Sequence, residues 1–231
     1  MTKRQEKILK LIIKSYINTA EPVGSSFLKK KCKLDISSAT IRNEMADLAD
    51  EGFLSKPHVS AGRVPTLKAF KYYINNLLQP KDLKKSEKKR FKKLAKNHKG
   101  EVQVKEILKQ VVEISQELGI LVFNKHSFFY TGFSYLFDQP EFEQHKSVAT
   151  ISQVVDSMDN IMGELSNYID SETKILLGKD NPFSEFCGAV FTSFKTSDSP
   201  HKKIIGLIGP TRMNYGKNLA LLNYSKKVLT K

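Results

Sequence analysis

Cysteine occurs twice in the 231 residues, at Cys32 and Cys187, and the five histidines (His58, His98, His126, His145, His201) are scattered. No CxxC or HxxxH spacing exists, so neither a zinc site nor a disulfide framework is expected, and a reducing interior fits. Long apolar runs are also missing: none approaches the roughly 18 residues of a membrane span. The opening stretch MTKRQEKILKLIIKSY breaks its apolar run with Lys10 and Lys14. That is too short and too polar for the core of a secretion signal. A soluble, cytoplasmic protein without membrane attachment is the expectation. Catalytic signatures are lacking as well, with no GxSxG, P-loop or HExxH pattern. Cys187 sits in FCGAVF, which reads as a buried strand rather than a nucleophile's setting. The chain is read as neither an enzyme nor a holder of metal or cofactor.

Positive charge, by contrast, is in excess, and it is uneven. Residues 1–110 hold 26 Lys and Arg against 11 Asp and Glu, a net of +15, whereas 111–231 hold 12 against 13, a net of −1. Such a basic half suits an anionic partner, with nucleic acid leading and an anionic membrane surface as the rival.

Along the chain, Ile8, Leu9, Ile12, Ile13, Tyr16 and Ile17 recur at helical spacing between lysines, predicting an amphipathic first helix. Pro22 and Gly24 break it, and Ser25 can cap a short second helix from Ser26 to Lys31, which offers Phe27 and Leu28 to a core. The stretch SSATIRNEMADL predicts a third helix, closed by a left-handed cap at Gly52. FLSKPHVSAGRVPT then alternates like a two-stranded hairpin, and Thr66 can cap a fourth helix, LKAFKYYINNLL. Three helices, a hairpin and a closing helix are arranged in the order of a winged helix-turn-helix.

Pro80 ends that unit. A dense basic run from Lys84 to Lys99, with Glu87 its only acid, and a helical pattern from Val102 to Leu118 look like a bridge. The basic run could add phosphate contacts or simply stay hydrated. From Gly119 the texture changes: GILVF, FFYTGF, KILLG, GAVFTSF and KIIGLIG read as strands. SVATISQVVDSMDNIMGELSNYI and NYGKNLALLNYSKKVL read as helices, and the mixture predicts an α+β domain. GLIGPTRMNYG is ordinary turn chemistry, with an anion cradle assisted by Arg212 as the weaker alternative.

The third helix carries the chemistry. At about 100° per residue, Ile41, Met45 and Leu48 share one side, and Ala39, Asn43 and Ala46 fall opposite, flanked by Thr40, Arg42 and Asp47. A side cut this small lets backbone approach base edges. Asn43 suits adenine, and Arg42 suits guanine or a phosphate. Ser37, Ser38 and Thr40 stand at the positive helix start, where hydroxyls and N–H groups can hold a phosphate. An ordinary surface helix also buries one side, so the stretch alone does not decide. The neighbouring hairpin, with Lys56, His58, Ser60 and Arg63, reads as a wing on the phosphate rails or in the minor groove. Its rival is a plain turn in which Gly62 supplies backbone freedom.

These stretches carry a resemblance. RQEKILKLIIKSYINTAEPVGSSFL, SSATIRNEMADLADEGFLSKPHVSAGRVPT and KAFKYYIN resemble the N-terminal domain of HrcA, the bacterial heat-inducible transcription repressor family. YTGFSYLFDQPEF, GKDNPF and IGLIGPTRMNYGKNLAL resemble later signatures of the same family. The resemblance implies a homodimeric repressor of chaperone operons that binds an inverted-repeat DNA operator, with a GAF-like second domain and help from the chaperonin GroEL. It makes the helix from Ser38 the recognition helix and Lys56 to Arg63 the wing, with Ser38, Ala39, Thr40, Arg42 and Asn43 facing the operator. The expected organisation is a winged helix-turn-helix domain over 1–79, a basic helical bridge over 80–118 and a GAF-like α+β domain over 119–231. One departure stands out: NKHS alone joins GILVF to FFYTGF, where the family has a long segment including an inserted dimerising domain. A small-molecule-sensing regulator and a chaperonin-dependent interaction protein without DNA reading are the two other classes. No ligand is assigned.

Overall fold

The computed structural model describes all residues except 33–34, 59–60, 80, 125, 143–160, 162–164, 166–168, 198 and 231. Ser60, one of the expected wing residues, and most of the helix expected around 147–169 therefore lie outside the described residues. The chain divides into two compact units, Met1–Leu78 and Gln79–Lys231.

In the first unit, α1 (Lys3–Thr19) starts from Thr2, whose hydroxyl accepts the Gln5 N–H while the Gln5 side chain caps back. This reciprocal pairing satisfies two N–H groups that a helix start otherwise leaves open. The apolar stripe is buried as its period requires, with Ile8, Leu9, Ile12 and Ile13 at most 1% exposed. Helix α2 (Ser25–Cys32) packs on α3 (Ser38–Asp50). Leu28 is fully buried, but Phe27, also expected in the core, is 39% exposed with Lys31 over its ring. Adjacent helical positions lie about 100° apart, so a narrow contact takes one of the pair.

Helix α3 ends as expected. Phe53 N–H bonds Leu48 C=O, Gly52 N–H bonds Ala49 C=O, and Gly52 takes a φ of +76°. Strands β1 (Leu54–Ser55) and β2 (Val64–Pro65) pair antiparallel. Thr66 caps α4 (Leu67–Tyr72) by accepting the Ala69 N–H. The single helix expected onward to Leu78 instead widens into a π-helical turn over Tyr73–Leu77.

The second unit is built on a five-stranded, wholly antiparallel sheet. Its strands are β3 (Leu118–Asn124), β4 (Ser127–Thr131), β5 (Lys174–Leu177), β6 (Cys187–Thr196) and β7 (Ser199–Pro210), in the spatial order β4-β3-β7-β6-β5. Together with helices α5 (Lys85–Asn97), α6 (Gly100–Ser115), α7 (Phe133–Phe137) and α8 (Tyr215–Leu229), this gives an α+β fold. Alternation divides β3 between two faces. Leu118, Ile120 and Val122 join a buried cluster with Leu136 of α7, Phe183, Phe191 and Ile208. The opposite face carries Phe123, under Lys105 of α6.

Residues 80–118, read from sequence as a bridge, are packed into this second unit. Phe91 of α5 is fully buried and meets Tyr224 of α8 edge-on, and α6 lies on β3. As the short NKHS link between them implies, β3 and β4 pair directly as a hairpin, with Asn124 opposite Ser127. Two of the later signature stretches also meet. Arg212 donates to both carboxylate oxygens of Glu141 (2.5 and 3.0 Å) and to Gln139 (2.8 Å), so its guanidinium already serves the fold.

Glu117, between α6 and β3, is 6% exposed, and its Oε2 has no hydrogen-bond partner. Burial holds its carboxyl well above the usual glutamate range, against the pull of the nearby Arg212. Burial likewise pushes the Cys187 thiol up to about 11, which leaves a strand residue 1% exposed with little thiolate character.

Candidate nucleic-acid interface

The exposed edge of α3 starts from its cap. Ser37 has extended backbone, and its Oγ accepts the Thr40 N–H at 3.0 Å while lying 2.9 Å from the Thr40 Oγ1. Both hydroxyls thus hold the helix start, and a phosphate arriving there meets an N-terminus whose first turn is already fixed in shape. Ile41, Met45 and Leu48 are buried at 0%, 4% and 0% exposure and seat the helix on α1 and α2. That burial turns Ala39, Arg42 and Asn43 outward into solvent, with Ser38 and Thr40 half-buried at their flank. Glu44, half-buried on the same helix, is neutralised by Arg4 at 3.1 Å.

A backbone bridge ties the hairpin to the start of α2, while Leu54 of β1 is buried in the core of the unit. Arg63 and Val23 form an antiparallel bridge, each N–H donating to the other's carbonyl at 2.9 Å. Gly62 is required here by close approach. A Cβ at this position would lie 2.5 Å from the Val23 carbonyl carbon and 2.6 Å from its oxygen, and its φ is not in the left-handed region. The backbone-freedom reading of Gly62 is therefore replaced by a steric one. Lys56 and His58 are exposed, and the His58 carbonyl accepts the Ala61 N–H at 3.1 Å.

The bridge also concentrates charge. A cleft of about 420 Å³ brings Arg42 of α3, Lys56 and Arg63 of the hairpin, and Gly24, Ser25 and Ser26 at the start of α2 to one place. The Arg63 Nε is shielded from solvent without a hydrogen-bond acceptor. The start of α2 was not singled out by sequence reading as a contact. Ser25 was expected to cap this helix, but it is Gly24 whose carbonyl accepts the first helical bond, from Leu28 at 3.1 Å. A cap without a side chain supplies no acceptor for the first-turn N–H groups, and the residues of that turn line the same cleft as three cations, a combination that favours an anion. The sequence signal was the Gly-Ser-Ser run itself, unremarkable until the fold places it beside Arg42. Of the expected residues, Arg42, Lys56 and Arg63 are gathered in this cleft, while Ala39 and Asn43 lie on the exposed helix edge.

A sequence profile of the HrcA protein C terminal domain matches residues 37–218. The chain belongs to the HrcA family. Its relatives in that family include the heat-inducible transcription repressor HrcA of Thermodesulfovibrio yellowstonii, 26% identical over an alignment spanning the whole chain and 97% of that protein. HrcA of Desulforamulus reducens is 51% identical over 87 residues, which cover 38% of this chain and 25% of the relative. The first alignment runs to 345 positions against 231 residues, so this HrcA family member is short, with about a hundred aligned positions left unmatched. Among solved structures, a crystal structure described only as a hypothetical protein superposes with a TM-score of 0.74 at 14% identity, covering the whole chain and 98% of its own. At that identity the likeness speaks to fold alone.

Among the described residues, no helix is long and apolar enough to cross a membrane, and no group of three or more His, Cys, Asp or Glu could hold a metal ion.

Proposed function

We propose that this protein is a heat-inducible transcription repressor that binds double-stranded DNA, and that it is not an enzyme. The first unit acts as a winged helix-turn-helix, with α3 as recognition helix and the β1–β2 hairpin as wing. The observation that carries this reading is the cationic cleft joining Arg42, Lys56 and Arg63 to the start of α2, directly beside the exposed Ala39–Asn43 edge. Cations and helix N–H groups would grip phosphates, and the slim edge would read bases. Asn43 is assigned to a base edge. Arg42, Lys56, His58 and Arg63 are assigned to backbone or minor-groove contacts, and Ser37, Ser38, Thr40 and Ser60 to phosphate.

The family relationship supports an inverted-repeat operator upstream of chaperone genes, a homodimer whose two heads are spaced by whole helical turns, and assistance from the chaperonin GroEL. We assign 1–79 to DNA binding and 119–231 to a GAF-like domain without the inserted dimerising segment. A gel shift tests this: an inverted-repeat duplex and a scrambled duplex of equal length are titrated across salt. Retardation of the inverted repeat at concentrations at least about tenfold lower than the scramble is expected. Equal retardation of both duplexes at moderate salt would sink the reading.

A further inference from the structure

The second unit has a cationic cleft of its own, which DNA reading by the first unit does not use. It measures about 810 Å³, within the roughly 300–1,000 Å³ typical of small-molecule sites. Five lysines line it: Lys88, Lys92, Lys96, Lys99 and Lys227. The first three recur every fourth residue on α5, so they form a row about 12 Å long at 1.5 Å per residue. Lys99 lies at the α5–α6 turn, and Lys227 comes from α8. Thr196 and Ser197 add hydroxyls, and no acidic side chain is among the described lining residues.

These cations are largely uncommitted. Lys88 pairs with Asp82, but among the described residues Lys92, Lys96, Lys99 and Lys227 make no ion pair. The walls are fixed nonetheless. Phe91 and Leu229 are buried beside the cleft, and the Gln103 amide donates to the Ala95 and His98 carbonyls at 2.7 and 3.0 Å, pinning the α5–α6 turn that carries Lys96 and Lys99. Like charges held four residues apart on a helix repel, and a rigid concavity that keeps them together is relieved by an anion.

We propose that this cleft binds a small polyanion containing two or more linked phosphoryl groups. A single phosphate meets one or two lysines, whereas a chain of phosphoryl groups runs along the whole row. Single-stranded nucleic acid is disfavoured because such grooves stack bases on open aromatic rings, and Tyr224 is half-buried with its ring edge-on to Phe91. Duplex DNA is disfavoured because the lysines line a concavity walled by α5, α6, α8, Thr196 and Ser197.

The test uses the full chain with inorganic tripolyphosphate at constant ionic strength, read by titration calorimetry and by thermal shift. Saturable one-to-one binding is expected, with a Tm that rises with ligand concentration, and equimolar inorganic phosphate should be weaker by at least about tenfold. Lys92→Glu/Lys96→Glu and, separately, Lys227→Glu should each weaken tripolyphosphate at least about tenfold. Lys85→Glu/Lys93→Glu, a control of equal charge at exposed positions outside the cleft, should not. A nucleoside triphosphate that binds as well as or better than tripolyphosphate upholds the site, and the ratio says whether a nucleoside is also recognised. No saturable binding, or equal loss in the control, overturns the proposal. So does protection of the cleft lysines from acetylation by duplex DNA that tripolyphosphate does not reverse. The cleft variants should retain operator binding in the gel shift, so failure here leaves the reading of the first unit standing.

Discussion

Arg63 and Val23 exchange two backbone hydrogen bonds of 2.9 Å each, and this one bridge ties the hairpin to the start of α2. The side chain of Arg63 reaches the cationic cleft because its backbone is clamped there. Gly62→Val tests the clamp. Its branched side chain has no room against the Val23 carbonyl, so hairpin and α2 must separate. A destabilisation of about 1–3 kcal/mol is expected in denaturant melts, with weakened binding to specific and random DNA alike. A variant with wild-type stability and affinity would refute the clamp.

Asn43→Ala and Arg63→Ala should fail differently. Asn43 is exposed on the α3 edge, so its loss should leave the melt unchanged and reduce discrimination between operator and scramble by about 1–3 kcal/mol. Arg63→Ala should weaken both duplexes and reduce the slope of log affinity against log salt by about 1. Matched losses in the two variants would contradict the division between base and backbone contacts.

Ser37→Ala removes the hydroxyl that accepts the Thr40 N–H. Loss of a helix cap costs about 1 kcal/mol. The DNA affinity of this variant should fall by more than its stability does, since the same helix start is assigned to a phosphate. Ser37→Asp keeps an acceptor for the cap but adds a negative charge. It should restore stability without restoring DNA binding.

Glu117 makes stability depend on pH in a known direction. Its folded carboxyl holds its proton to higher pH than the unfolded one, because burial disfavours the charge. Below the ordinary value near 4.5 both states are protonated and no cost arises. As pH rises above that value the unfolded state ionises first, and folded stability is lost progressively. Glu117→Gln removes this loss. The variant should melt at the same temperature as wild type near pH 4 and higher at pH 7, by roughly 2–4 °C for each 1 kcal/mol relieved. A pH-independent difference would refute the assignment.

Local periodicity and turn chemistry were legible in the residues. The 3.6-residue spacing of Ile41, Met45 and Leu48 located the buried side of α3, and with it the exposed edge of Ala39 and Asn43, because a helix fixes the direction of every side chain from one. Gly52 and Thr66 likewise marked a helix end and a helix start from their own chemistry. The basic run resisted reading, since hydration and packing call for the same lysine-rich surface and differ only in where Phe91 goes.

Charge, periodicity and punctuation were thus settled by order along the chain, for they act between residues at most a few positions apart. Tertiary structure alone decided that Gly62 lies against Val23, that Arg42, Lys56 and Arg63 meet at the start of α2, and that α5, α6 and α8 enclose a second set of lysines. Those meetings join residues tens to over a hundred positions apart, and only packing of the core brings such distant side chains within reach of one ligand.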